Sequence, residues 1–302
     1  MEKYTRWYKQ GRALLEEIEK SVPGNAEARI WYLGQHGFVI NLEGLVFYID
    51  VILNDLRDSE GKSRREYPAP FAPDMVKRVD YVLCTHNHSD HLNLETLIPL
   101  AQTNPRARFV VPRPWQNLLR GAGIGEDRIL GAREGEEITL GPVSLLPVGA
   151  VHTRFIRDEP ERDGNGDCPC LGYLLKGGGL TVYHAGDTWV TPALVRTLKT
   201  AGQAACQAAG RACGLLNIAI LPINGTDWER TEHNYIGNMG ALDAVKLAQA
   251  VPADLTIPAH YDLMAENSEN PALFADYMYR RCPEKRFHIF ALGEQFIYRD
   301  SN

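Results

Sequence analysis

The stretch Thr85-His86-Asn87-His88-Ser89-Asp90-His91 decides how this chain is read. It follows the apolar run Val79 to Cys84 and precedes a helix-like segment from Leu92 to Ala101. A strand that ends in such a loop holds His86 and His88 close together, while Asp90 and His91 project to the other side. Imidazole nitrogen and carboxylate oxygen are the ligands that first-row divalent metals take from proteins, and tetrahedral zinc is the commonest outcome. The arrangement suits two adjacent metal ions. A solvated, His-rich turn is the plainer reading. It leaves unexplained why the cluster follows a buried-looking strand and why His and Asp recur at later strand ends, at His152, Asp187 and His260.

Working outward, the 302 residues suffice for one layered domain with a sizeable core. With 44% hydrophobic and 23% charged residues, and no low-complexity tract or repeat, the composition is that of an ordinary globular protein. The net charge of -6 argues against a nucleic-acid partner, which draws affinity from clustered Lys and Arg. No apolar stretch approaches a bilayer span, and Met1 to Trp7 lacks the apolar core of a signal peptide, so the expectation is a cytoplasmic protein without membrane contact. Self-association as a homo-oligomer is compatible with the sequence. The six cysteines, Cys84, Cys168, Cys170, Cys206, Cys213 and Cys282, are read as reduced thiols, because the spacing of Cys168-Pro169-Cys170 is not that of a zinc clip.

Tyr8 to Lys20 places Leu14, Leu15 and Ile18 on one face and reads as an amphipathic helix ended by Pro23-Gly24. Residues 1–28 are thus expected as an N-terminal helical extension, and 29–302 as a single domain. Arg29 to Leu42 and Leu45 to Val51 read as strands joined at Glu43-Gly44, the second closed by Asp50. Residues 54–78, with Pro68, Pro70 and Pro73, form a long loop of the kind that serves as a lid. Further strands are expected over Arg108–Val111, Val143–Val148, Leu171–Lys176, Leu180–His184, Leu215–Leu221 and Leu255–Ile257. Helices are expected over Trp115–Gly121, Thr191–Gly210 and Met239–Ala250, and a polar loop over Arg157–Pro169. This α+β pattern, with polar residues gathered at strand ends, suggests two sheets packed face to face with helices outside.

His86-x-His88-x-Asp90-His91, followed by His152, Asp187 and His260, resembles the metallo-β-lactamase superfamily. The resemblance runs from Ile30 to Tyr298 and implies a four-layer αβ/βα sandwich of two mixed sheets flanked by helices. Trp31 to Phe38, Tyr183 to Asp187 and Ile257 to His260 look like the branch that contains ascorbate-6-phosphate lactonases. By that resemblance His86, His88 and His152 hold a first metal, Asp90, His91 and His260 a second, and Asp187 bridges them. Some lactonases of the branch carry an aspartate where this chain has His152. Asp50 corresponds to a supporting aspartate that the superfamily often has at the end of an early strand.

The chemistry is coherent without the family name. Two cations sharing a carboxylate can share a water whose pKa falls toward neutrality, which gives a hydroxide nucleophile at ordinary pH. Asp90 and Asp187 are then the catalytic carboxylates, with Asp90 passing a proton to the leaving oxygen. Zinc is the expected metal, with manganese and iron as alternatives. His36, His184, His233, Asn234 and Arg154 are candidates for support or substrate contact, beside the plainer roles of packing, capping and solvated charge. Arg157, Arg64 and Arg65 are further candidates for meeting an anion. The expected function is hydrolysis of a small anionic ester or lactone. A phosphodiesterase or nuclease is the alternative. A di-iron oxidoreductase is disfavoured by His88, which that class replaces with glutamate.

Overall fold

In a computed structural model, which describes residues 6–208 and 216–300, the apolar runs become two seven-stranded sheets packed face to face. The first contains β1 (Glu27–Tyr32), β2 (Phe38–Leu42), β3 (Leu45–Ile49), β4 (Tyr81–Leu83), β5 (Arg108–Pro112) and β6 (Ile129–Ala132). The second contains β7 (Ile138–Leu140), β8 (Val143–Gly149), β9 (Leu171–Gly177), β10 (Leu180–His184), β11 (Leu216–Pro222), β12 (Ala253–Ala259) and β13 (Arg286–Phe287). β14 (Gln295–Arg299) returns to the first sheet, antiparallel to β1. Each sheet joins an antiparallel run to a parallel one. β3 to β6 and β10 to β13 are the parallel halves.

Alternation along the strands sorts the side chains into two cores. Phe38, Ile40, Phe47 and Ile49 face the second sheet, whereas Val39, Val46 and Tyr48 face outward. The outward face is covered by α1 (Gly11–Glu19), through Leu14, Leu15 and Ile18, by α2 (Leu94–Thr103) and by α3 (Gln116–Gly121). On the far side, α4 (Pro192–Ala208), α6 (Ala241–Ala250) and α7 (Pro271–Arg281) flank the second sheet, and a short α5 (Trp228–Glu232) lies in a connecting loop. The expected layering of helices, sheet, sheet and helices is therefore present. Among the described residues no helix is long and apolar enough to cross a membrane.

Two expectations need correction. The run Arg29 to Leu42 is two strands, β1 and β2, separated by a turn at Leu33–Gly37 in which Gly34 (φ +91°) and Gln35 (φ +58°) are left-handed. A Cβ on Gly34 would lie 2.2 Å from the Tyr67 hydroxyl, so only glycine fits there. Arg65 does not face the cleft. It is buried, and its guanidinium donates to the carbonyls of Ile52 (3.1 Å), Asn54 (3.0 Å) and Tyr67 (3.0 Å), holding the middle of the 54–78 segment to its start and to the residues after β3. Cys213, Leu215 and the Ala209–Gly210 end of the expected helix lie outside the described residues, as does the side chain of Cys206. Cys84, Cys168, Cys170 and Cys282 are free.

Removing the Arg65 guanidinium strands three carbonyls, those of Ile52 and Tyr67 in buried hydrogen bonds and that of Asn54 in a part-buried one, each worth on the order of 1 kcal/mol. Arg65→Met is therefore expected to lower unfolding stability by roughly 3 kcal/mol. Denaturant titration measures it, and an unchanged midpoint would show that this arginine does not secure the segment.

Candidate metal centre

The C-terminal ends of β4, β8, β10 and β12 meet at one edge of the sandwich, and each delivers polar side chains there. The loop after β4 is fixed first. The buried Asp50 carboxylate accepts from the Thr85 amide (2.8 Å) and the Thr85 hydroxyl (2.7 Å). It also accepts from His91 Nδ1 (2.8 Å), which leaves His91 Nε2 facing the site. Since the Thr85 hydroxyl proton goes to Asp50, its oxygen accepts from His86 Nδ1 at 3.1 Å and turns His86 Nε2 the same way. Opposite, Gly186 (φ +57°) lets the β10 end approach this loop. A Cβ there would sit 2.7 Å from Thr85 Cβ.

The side chains form two groups. In the first, His88 Nδ1 lies 2.9 Å from His86 Nε2 and 3.1 Å from His152 Nε2. Asp187 Oδ2 lies 4.0 Å from His86 Nε2 and 3.7 Å from His152 Nε2. In the second, His91 Nε2 lies 3.3 Å from His260 Nε2 and 3.6 Å from Asp90 Oδ2, and His260 Nε2 lies 3.5 Å from Asp90 Oδ2. Asp187 reaches this group too, with Oδ1 3.4 Å from His91 and Oδ2 3.3 Å from His260. Ligand atoms bonded at 2.0–2.1 Å in a tetrahedron stand about 3.3 Å apart, so both sets have the spacing of a coordination shell. Three ring nitrogens that converge on one point cannot satisfy one another with the protons available, whereas one cation satisfies all three. The residues present therefore fit a pair of metal ions.

The two groups differ in charge. Burial pushes His86 well below the ordinary imidazole range and His152 down to about 4, and it lowers His88 as well, so these rings offer neutral lone pairs. Burial acts against charge on His91 and His260 also. There the surrounding carboxylates prevail: Asp187, Asp50 and Asp90 hold His91 well above its usual value, and Asp187 and Asp90 raise His260 to about 9. Burial opposes ionisation of Asp90 and Asp187, but His91 and His260 outweigh it and hold both well below the carboxylate range. The second group thus surrounds His91 and His260 with carboxylate charge, which favours a proton or a metal cation there.

The structure thus brings together His86, His88, Asp90, His91, His152, Asp187 and His260, with Asp50 behind them. His36 is buried beside the site, its Nδ1 3.4 Å from Asp187 Oδ1. His184 is a packing residue: its Nε2 donates to the His36 carbonyl (2.9 Å) and its Nδ1 accepts from the Gly186 amide (3.3 Å). Asn234 lines the cleft above the metal groups, together with Arg64, Tyr235, Met264 and Asn267. His233 is exposed and donates to the Glu229 carbonyl, outside that cleft. Arg154 donates to the Thr231 carbonyl (3.1 Å), and Arg157 pairs with Glu161, both away from the cleft. Sequence reasoning missed Gln35, whose side-chain amide donates to Asp90 Oδ2 at 2.8 Å. The Gly34-Gln35 pair inside an apolar run was the available signal.

Because Asp187 faces both groups, Asp187→Ala is expected to reduce metal content at both positions, and His260→Ala only at the second. Elemental analysis of the purified variants measures this. Full metal content in a variant combining His86→Ala and His88→Ala would contradict the assignment.

A model described as a β-lactamase superfamily domain matches residues 47–261. A UPF0173 metal-dependent hydrolase from Thermofilum pendens is 27% identical, over 82% of this chain and 90% of its own length. A probable L-ascorbate-6-phosphate lactonase from Escherichia fergusonii is 21% identical, over 86% of this chain and 77% of its own. Among solved structures, a metallo hydrolase from Ignicoccus hospitalis shares the fold with a TM-score of 0.64 at 17% identity, covering 91% of this chain and 100% of that one. The matched span holds the histidine loop, His152, Asp187 and His260, and the chain belongs to the β-lactamase superfamily, among its metal-dependent hydrolases.

Proposed function

We propose that the chain hydrolyses a small anionic ester or lactone at a two-metal centre. His86, His88 and His152 would hold one ion, Asp90, His91 and His260 the other, and Asp187 both. Bound there, two divalent cations would supply Lewis acidity and a water acidified toward neutral pH. A donor set of imidazoles and carboxylates without thiolate suits zinc first, with manganese and iron as alternatives. The observation that carries this reading is the pair of ligand-spaced groups sharing Asp187 at the floor of a cleft.

The cleft measures about 210 Å³, below the roughly 300–1,000 Å³ of most ligand pockets, which favours a compact substrate over a polymer. Arg64 on its wall offers a guanidinium to an anionic substituent, although Glu266 (2.8 Å) shares it in the free enzyme. Asn234 and Asn267 offer amides to neutral oxygens. Asp90, lining the same cleft, would accept the proton of the attacking water as the new carbon–oxygen bond forms. It returns that proton to the alkoxide released when the ester bond breaks. The probable lactonase among the relatives supports the substrate class. The four free thiols among the described residues suit a cytoplasmic enzyme.

Screening lactones, phosphodiesters and phosphomonoesters with zinc, manganese and iron tests the reading. Opening of an anionic lactone is expected. Phosphodiester cleavage without lactone opening would overturn the substrate class. With the lactone in hand, Arg64→Gln is expected to raise KM about tenfold, the loss of about 1.4 kcal/mol of substrate binding, with kcat and metal content little changed.

A further inference from the structure

Gln35 sits where the first sheet's β1–β2 turn meets the metal groups, and nearly all of its polar atoms are committed. Its amide N–H donates to Asp262 Oδ1 (2.9 Å), an oxygen that also accepts from the hydroxyls of Tyr32 (3.0 Å) and Tyr67 (2.7 Å). Its carbonyl accepts from the His260 amide at 2.5 Å. The turn on one sheet and the β12 end on the other are therefore locked together through this one residue. Its side-chain Nε2 then donates to Asp90 Oδ2 (2.8 Å) and lies 3.2 Å from His260 Nε2.

This arrangement has costs that packing alone does not explain. Gln35 is left-handed although it is not glycine, and its buried side-chain Oε1 has no hydrogen-bond partner among the described residues. Such local conflicts mark places where a residue serves function before stability. Turning the amide over would not help, because Oε1 would then oppose a carboxylate oxygen.

We infer that Gln35 is a positioning residue that divides the work of Asp90. By donating to Oδ2 it holds that oxygen in the second ligand group, 3.6 Å from His91 Nε2 and 3.5 Å from His260 Nε2. Oδ1, which has no hydrogen-bond partner among the described residues, is left to the cleft for proton transfer. Without the amide the carboxylate rotates, and one oxygen can no longer serve the metal while the other serves the substrate. The catalytic half of this inference rests on the hydrolase reading, whereas the metal half does not.

The test uses the full chain loaded with zinc and two variants. Gln35→Met keeps length and backbone strain but removes the donor. Gln35→Gly removes the side chain and relaxes the left-handed turn, so it stays informative if the methionine variant fails to fold. Zinc retained against a graded chelator is measured by elemental analysis. One of the two zinc equivalents is expected to be held about tenfold to a hundredfold more weakly, with the other unchanged, as for loss of an outer support to a ligand. On the lactone, kcat is expected to fall by a similar factor with KM nearly constant. Wild-type retention of both equivalents in a folded variant would overturn the inference, as would equal weakening of both. A wild type that binds two zinc ions and opens no lactone would defeat the substrate reading alone.

Discussion

The buried carboxylate of Asp187 is the constraint on which the rest depends. It lies between two groups of histidines, with oxygens 3.3–4.0 Å from His86, His91, His152 and His260, and no lysine or arginine contacts it among the described residues. A carboxylate taken out of water at the junction of two sheets needs positive charge close by. Without metal, the rings of His91 and His260, whose nitrogens lie nearest its oxygens and whose basicity the carboxylates raise against the effect of burial, are the groups placed to supply it. With metal, the same geometry supplies it better, and the neutral imidazoles of the other group are already disposed to help.

The sandwich exists to hold these side chains still. Each of these side chains follows the end of a strand whose alternate residues are buried in one of two cores, so a shift of one residue would expose a whole face. Near the site the two sheets are tied directly: the Tyr173 hydroxyl donates to the Cys84 carbonyl (2.8 Å), and the Leu171 amide donates to that of Thr85 (3.0 Å). Asp50 then converts this backbone order into side-chain order by orienting His91 and, through Thr85, His86. Rigidity passes from strand to loop to ring in short hydrogen-bonded steps.

How much of this was legible in the sequence follows from the range of each interaction. The His86–His91 cluster was readable because four side chains able to bind metal lie within six residues and the preceding strand is apolar. His152, Asp187 and His260 were readable only as a set, each marking a strand end. Gln35 was hidden because its partner Asp90 lies 55 residues away and no local pattern encodes that contact. The pairing of β14 with β1 was hidden for the same reason. α7 was readable in principle, since Asn270 caps it and Pro271 occupies its first position. The arginines divide by burial: Arg64 and Arg65 are adjacent, yet one lines the cleft and the other is spent on three carbonyls.

The arrangement of the site's side chains calls for a pair of metal ions sharing Asp187. Anomalous diffraction from crystals of the zinc-loaded protein tests it most directly. Two peaks roughly 3.5–4 Å apart are expected. One should lie among His86, His88 and His152, the other among Asp90, His91 and His260, and both should be bonded to Asp187. His36, Asp50 and His91 also cluster, but Asp50 is already engaged by Thr85 and His91. A single peak, or a peak within that third cluster, would contradict a shared two-metal centre.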